Sequence, residues 1–182
     1  MAKTFCYALM YGAGDTKIGK IIGGDATDGK RLKKKFFAAI PAFLKLRKAI
    51  KDCLVAEEYH GKIIKWRRHY LKGLDGRHLH VRSIHSALNL LLQSSGALVC
   101  KYWITRLEER LIARGLKHGW DGDFCFMAWI HDEAQCACRT EEIADIVIEE
   151  GHAAMKDTQK HFNFRVELDI DGMKGKNWCD CH

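Results

Sequence analysis

One proline, Pro41, stands in 182 residues, and the sequence holds no C-x-x-C pair and no internal repeat. So little proline, with 16 glycines that follow no period, excludes a collagen-like or low-complexity chain. No apolar run approaches the roughly 18 residues that a membrane-crossing helix needs, so no membrane partner is expected. The opening MAKTFCYALMYGAG has no separate basic region before its short apolar stretch and no small-residue cleavage site after it, so it is not read as a secretory signal. The chain is therefore expected to be soluble and intracellular. In that setting the eight cysteines are expected as reduced, mostly buried thiols. Cys179, Cys181 and His182 could form half of a zinc site, with Cys136 and Cys138 as a second pair. Neither pair has the gap usual in structural zinc sites.

What is present is enough for a core: 47% of residues are hydrophobic and 29% charged. A chain of this length buries about 70% of its unfolded surface, and one or two domains are expected. Charge is unevenly placed. Residues 1–100 carry 19 Lys and Arg against 7 Asp and Glu, a net +12, whereas residues 101–182 carry 11 against 16, a net −5. A basic half attracts polyanions and an acidic half could hold metal ions; two solvated surfaces of opposite sign are the plainer alternative.

Residues 2–11 read as a helix, broken by Gly12, Gly14 and Asp15. Thr16 to Ile22 suggests a second, short helix, and a basic amphipathic helix follows from about Asp28, with a kink or restart at Pro41, and runs on to about Glu58. Lys62 to Leu71 is rich in strand formers. With the Asp75-Gly76 turn and the alternation of Leu79 and Val81, it predicts a β-hairpin. Ser83 is a plausible N-cap for a long helix from about Ser86 to Arg114, stopped by Gly115. The run from Phe124 to Ile130 predicts a strand buried on both faces, followed by a second strand from Ala134 to Cys138. Thr140 opens a further helix, and Phe164, Val166, Leu168 and Ile170 alternate as a last strand. The pattern is α+β.

Three clusters of residues carry chemistry. Lys3, Tyr7 and Tyr11 fall on one helical face, where a cation and two rings suit a nucleotide; an ordinary amphipathic face is the alternative. His85, Asn89 and Gln93 form a polar stripe on an otherwise apolar helix. Burying such groups unpaired costs about 1–3 kcal/mol each, so they face water, a polar network or a ligand such as a nucleic-acid groove. His131, Asp132 and Glu133 lie between two strands, where carboxylates at a hairpin tip make oxygen ligands for Mg2+, unless they form only a solvated turn.

The stretch Lys3-x-x-x-Tyr7-x-x-x-Tyr11-Gly12 resembles motif B of the family A DNA polymerases, on the O helix of the fingers. His131, Asp132 and Glu133 resemble motif C, on the palm hairpin. The stretch from His85 through Asn89 to Gln93 is similar to the helix that tracks the minor groove of the primer–template. The strings YGAGDTKIGKI, KGLDGRHLHVRS, GLKHGWDGDF and CRTEEIA, with the ending NW-x-x-CH, resemble the T-seven type of phage member, and the likeness runs over essentially the whole chain.

This resemblance implies a helical fingers subdomain, residues 1–73, and part of an antiparallel-sheet palm, residues 74–182. It implies that Lys3 contacts the incoming triphosphate, that Tyr7 packs against its sugar and that Tyr11 stacks near the template base. The hydroxyl of Tyr7 is a feature of members tolerant of dideoxynucleotides. Asn89 and Gln93 would touch the minor-groove side of the duplex, with Arg82 and His85 as further DNA contacts. His131 would lie near the primer terminus, Asp132 would be a metal ligand and Glu133 a neighbouring carboxylate. The implied cofactor is Mg2+ in a two-metal site, of which this chain holds one ligand, because motif A and its aspartate are absent. The family's Arg four residues before the motif B lysine would precede Met1. The expected partners are primer–template DNA, a deoxynucleoside triphosphate and an upstream polymerase chain carrying motif A, thumb and exonuclease. The setting is the cytoplasm of an infected bacterial host. A split gene and an inactive truncated remnant, acting at most as a DNA-binding protein, are the two readings of Met1.

Overall fold

The computed structural model describes residues 2–181. The chain divides into two compact units, Met1–Ser95 and Gly96–His182. Their division falls inside a single long helix.

In the first unit, α1 (Ala2–Met10), α2 (Asp15–Ile21), α3 (Ala26–Ala39) and α4 (Pro41–Leu54) follow in order. Phe5, Leu9 and Ile18 form a small buried cluster with Phe36, Phe37 and Leu32 against it. Asp25 caps α3, accepting from the Thr27 and Asp28 amides at 2.8 and 2.9 Å. Ile40, at φ −126°, leaves the helical region, and Pro41 starts α4 at a position that needs no intrahelical donor. Of the kink or restart expected at Pro41, the restart is what forms.

The helix expected to reach Glu58 stops at Leu54. Val55–Tyr59 is instead a strand, β1, paired antiparallel with β2 (Lys62–Trp66). The turn between them is His60 (φ +47°) and Gly61 (φ +78°). The single strand expected from Lys62 to Leu71 is therefore two: β2 serves this first hairpin, and β3 (Tyr70–Lys72) pairs with β4 (His78–His80) across the Asp75-Gly76 turn. Ile50, Leu54, Val55, Leu71, Val81, Ala87 and Leu88 make the core beneath both hairpins.

The long helix α5 (Ile84–Ala113) begins two residues earlier than expected, with the Ser83 hydroxyl accepting from the His85 amide at 3.3 Å. In the second unit, β5 (Phe124–Ile130) and β6 (Glu133–Cys138) form an antiparallel hairpin, followed by α6 (Glu141–His161), which Thr140 caps. Trp103, Leu107, Leu111, Phe124, Ala154 and Met155 form its core. On α6, Glu150 is 5% exposed and is held by Arg110 at 2.6 Å. Two expectations need correction. Strand β5 is not buried on both faces: Met127 and Trp129 are exposed, and β6 is the one named strand that pairs with it among the described residues, beside an isolated bridge from His118 to Phe124. Phe164 to Ile170 forms no strand: the chain bends at Arg165 and Val166, and among the described residues the segment joins no sheet. Leu168 and Ile170 pack on the core, and Leu168 N–H donates to the Gln159 side chain at 3.0 Å in place of a strand neighbour.

Candidate functional site

Helix α1 divides into two faces. Phe5 and Leu9 are buried, and Phe5 meets Phe36 edge-on with ring centroids 5.4 Å apart. The opposite face carries Lys3, Tyr7 and Tyr11, all exposed, with the Lys3 ammonium 6.0 Å from the centre of the Tyr7 ring. The face expected from the four-residue spacing exists and is exposed, as either a nucleotide-binding face or an ordinary amphipathic one would be. Gly12 ends it at φ +77°, and a Cβ there would stand 3.1 Å from the His85 carbonyl oxygen. Glycine therefore lets the end of α1 abut the start of α5.

That approach joins two of the three clusters. The Gln93 side-chain amide donates to the Tyr11 hydroxyl at 2.8 Å, across 82 positions of sequence. His85 and Gln93 are exposed and Asn89 is half-buried, so the stripe on α5 faces outward as its polarity requires. Arg82 is exposed just before the helix.

The third cluster lies in the other unit, at the tip of the β5–β6 hairpin. Ile130 pairs with Glu133, which leaves His131 and Asp132 as a two-residue turn. His131 sits at φ +57°, a conformation that L-residues adopt at a cost. The Trp129 indole N–H donates to the His131 carbonyl at 2.9 Å and pins this turn. Asp132 is exposed and makes no hydrogen bond or ion pair with the described residues, so its oxygens are unspent. Glu133 is half-buried and accepts from the Gln135 side chain. Burial, with the nearby Asp132 charge, pushes the Cys100 thiol of α5 up. The supporting Trp129, Gln135 and Cys100 were not picked out by sequence reasoning. Trp129, two residues before the turn, was the one legible signal among them.

A sequence model of DNA polymerase family A matches residues 1–180. The chain belongs to DNA polymerase family A. It is 56% identical to the DNA-directed DNA polymerase of Enterobacteria phage T3 and 55% identical to that of Escherichia phage T7, over all of this chain and 26% of each phage protein. A DNA-directed DNA polymerase of Escherichia phage Phieco32 is 31% identical over all of this chain and 28% of its own length. This family A chain therefore spans about a quarter of the length of these curated relatives. Its fold is similar to the POL domain of Pol1 from M. smegmatis, solved in complex with DNA primer-template and dNTP. The TM-score is 0.59 over 84% of this chain and 26% of that one, at 17% identity. The mixture of helices and small antiparallel sheets expected of a family A polymerase is what the chain has.

Among the described residues no three His, Cys, Asp or Glu side chains gather as a metal cluster. At the tip of the β5–β6 hairpin, Asp132 has the free oxygens that a hard cation takes. Cys136 and Cys138 share one side of β6 with sulfurs 4.0 Å apart; Cys138 together with burial pushes the Cys136 thiol up, while the contact to Cys136 pushes the Cys138 thiol down. Cys179 and Cys181 lie in the closing 3-10 turn Trp178–Cys181, and His182 falls outside the described residues.

Proposed function

We propose that this chain supplies the nucleotide-binding helix, a minor-groove reading stripe and one metal-binding carboxylate to templated DNA synthesis by a DNA-directed DNA polymerase. The observation that carries the reading is the hydrogen bond from Gln93 to Tyr11, which ties the nucleotide face of α1 to the DNA-facing stripe of α5. In this reading Lys3 binds the triphosphate, Tyr7 packs on the sugar and Tyr11 lies beside the template base. Arg82 and His85 hold the duplex, and Asn89 and Gln93 read minor-groove acceptors that every base pair presents in similar places. His131 lies near the primer terminus, on a turn that Trp129 holds rigid. Asp132 supplies an oxygen ligand to Mg2+, with Glu133 beside it. The metal, when bound, neutralises charge developing on the transferred phosphoryl group. The second catalytic carboxylate, the thumb and the exonuclease come from polypeptide outside these 182 residues.

Primer extension tests the assignment, with the chain supplied together with the polypeptide that carries motif A. Asp132→Ala should lower incorporation at least about 100-fold, the scale of several kcal/mol of charge stabilisation. Equal extension by Asp132→Ala and the unaltered chain would remove Asp132 from the metal site. Duplex binding without extension under any of these conditions would favour a DNA-binding role alone.

A further inference from the structure

The two strands β3 and β4 form a short ribbon whose faces differ. Leu71 and Leu79 are direct cross-strand partners, with Leu71 buried in the core beneath. The alternate pairs are Tyr70 with His80 and Lys72 with His78, so these four side chains share the opposite face. His78, His80 and Lys72 are exposed there and Tyr70 is half-buried. The core requires the leucines; nothing in the packing requires three rings on the outer face.

The rings are organised. Tyr70 and His78 stack with centroids 3.9 Å apart and planes 24° from parallel. The Arg68 guanidinium lies 5.4 Å from the centre of the Tyr70 ring. His69 adds a further exposed ring, 6.4 Å from His80. Lys72 makes no ion pair with the described residues. The result is a patch of aromatic and imidazole faces with uncompensated cations, in the basic part of the chain.

The ribbon is also continuous with the stripe on α5. Only Val81 separates His80 from Arg82, and the Val81 amide bonds to the His69 carbonyl at 2.7 Å, which fixes that link. A nucleic acid lying along His85, Asn89 and Gln93 would run onto the ribbon at one end.

We propose that the outward face of the β3–β4 ribbon is a stacking platform for single-stranded DNA, taken from the unpaired strand that continues beyond the primer–template duplex. Rings offer sequence-tolerant stacking to bases, and cations beside them meet the phosphates, which is the chemistry of non-specific single-strand binding. The proposal rests on the reading of the α5 stripe as a duplex contact.

Its test separates the two. Binding of the full chain is measured to a blunt DNA duplex and to the same duplex with a single-stranded adenine extension. The extension should tighten binding by about tenfold or more, the scale of a stacked base. The triple variant Tyr70→Ala, His78→Ala, His80→Ala should lose that gain yet bind the blunt duplex unchanged. The triple phenylalanine variant at the same positions keeps the rings and should keep the gain. Gln93→Ala should weaken both DNAs alike and leave the gain intact. No gain from the extension in the unaltered chain, or loss of the gain in the phenylalanine variant, would overturn the platform. Loss of the gain on Lys72→Ala with full retention in the alanine triple would also overturn it, leaving a charge patch that an acidic peptide could serve equally. Failure of the unaltered chain to bind the blunt duplex would overturn the stripe instead.

Discussion

Asp169 shows what one side chain does for the end of the chain. Its carboxylate accepts from the His152 imidazole, with Nδ1 and Oδ1 2.5 Å apart, and from the Ile170 amide at 3.0 Å. These bonds, the His152 contact first, hold its pKa below the ordinary 3.8. A carboxyl depressed in the folded chain gives its full stabilisation above the ordinary value and loses it as pH falls through the lower folded one. The window is therefore strongly acidic, below about pH 4. The pair fastens the Phe164–Ile170 segment to α6, where Ile170 covers Gly151. Asp169→Asn should accordingly lose stability at neutral pH and show a flatter decline below pH 4 than the unaltered chain. Urea midpoints at about pH 7 and about pH 3 check this; parallel declines would show that the pair contributes nothing. At the same scale, Asp132 differs in kind: it is exposed and unpaired, so its charge at a pinned turn serves no hydrogen bond or ion pair within the described residues.

At the scale of elements, α2 and α3 pack through two glycines rather than through side chains. A Cβ at Gly29 would stand 2.0 Å from the Asp15 carbonyl oxygen, and one at Gly19 would stand 1.8 Å from that of Asp25. Backbone atoms cannot swing aside, so Gly29→Ala must part the helices. It should cost about 1–3 kcal/mol, the range for overpacking, despite the better helix propensity of alanine. Thermal melts measure it, and a stabilised variant would contradict the packing. The helices were legible because their apolar spacing, Thr140 and Pro41 are local signals; the Asp25 cap was missed, and α3 starts at Ala26 rather than at about Asp28. Strand β1 was not: Ala56, Glu57 and Glu58 favour a helix, and only pairing with β2 makes them a strand. The alternation of Phe164, Val166, Leu168 and Ile170 was legible, but a ladder also needs a neighbour, and alternation cannot report one. The site divides the same way. The α1 face and the α5 stripe follow from spacing, whereas the bond between Tyr11 and Gln93 spans 82 positions and depends on how the elements pack.

For the whole molecule, the decisive quantity is the separation of charge, +12 in residues 1–100 and −5 in residues 101–182. Cations attract the phosphate backbone of any duplex, so charge supplies affinity without sequence information, which suits the templated synthesis proposed above, in which every template must be accepted. Neutral donors such as Gln93 supply geometry instead. The two contributions are separable because only the first releases counterions. The logarithm of affinity for duplex DNA should fall linearly with the logarithm of salt, by roughly 0.9 per phosphate neutralised. Arg82, exposed and without an ion pair among the described residues, should account for one such phosphate. Arg82→Ala should therefore weaken binding and make the slope shallower by about one. Gln93→Ala should weaken binding with the slope unchanged, because an amide displaces no cation. Titrations at several salt concentrations distinguish them. An unchanged slope in Arg82→Ala would place Arg82 off the phosphate backbone. A shallower slope in Gln93→Ala would mean that losing this residue shifts the chain on the duplex, so that the stripe sets the register of the charged contacts as well as reading the groove.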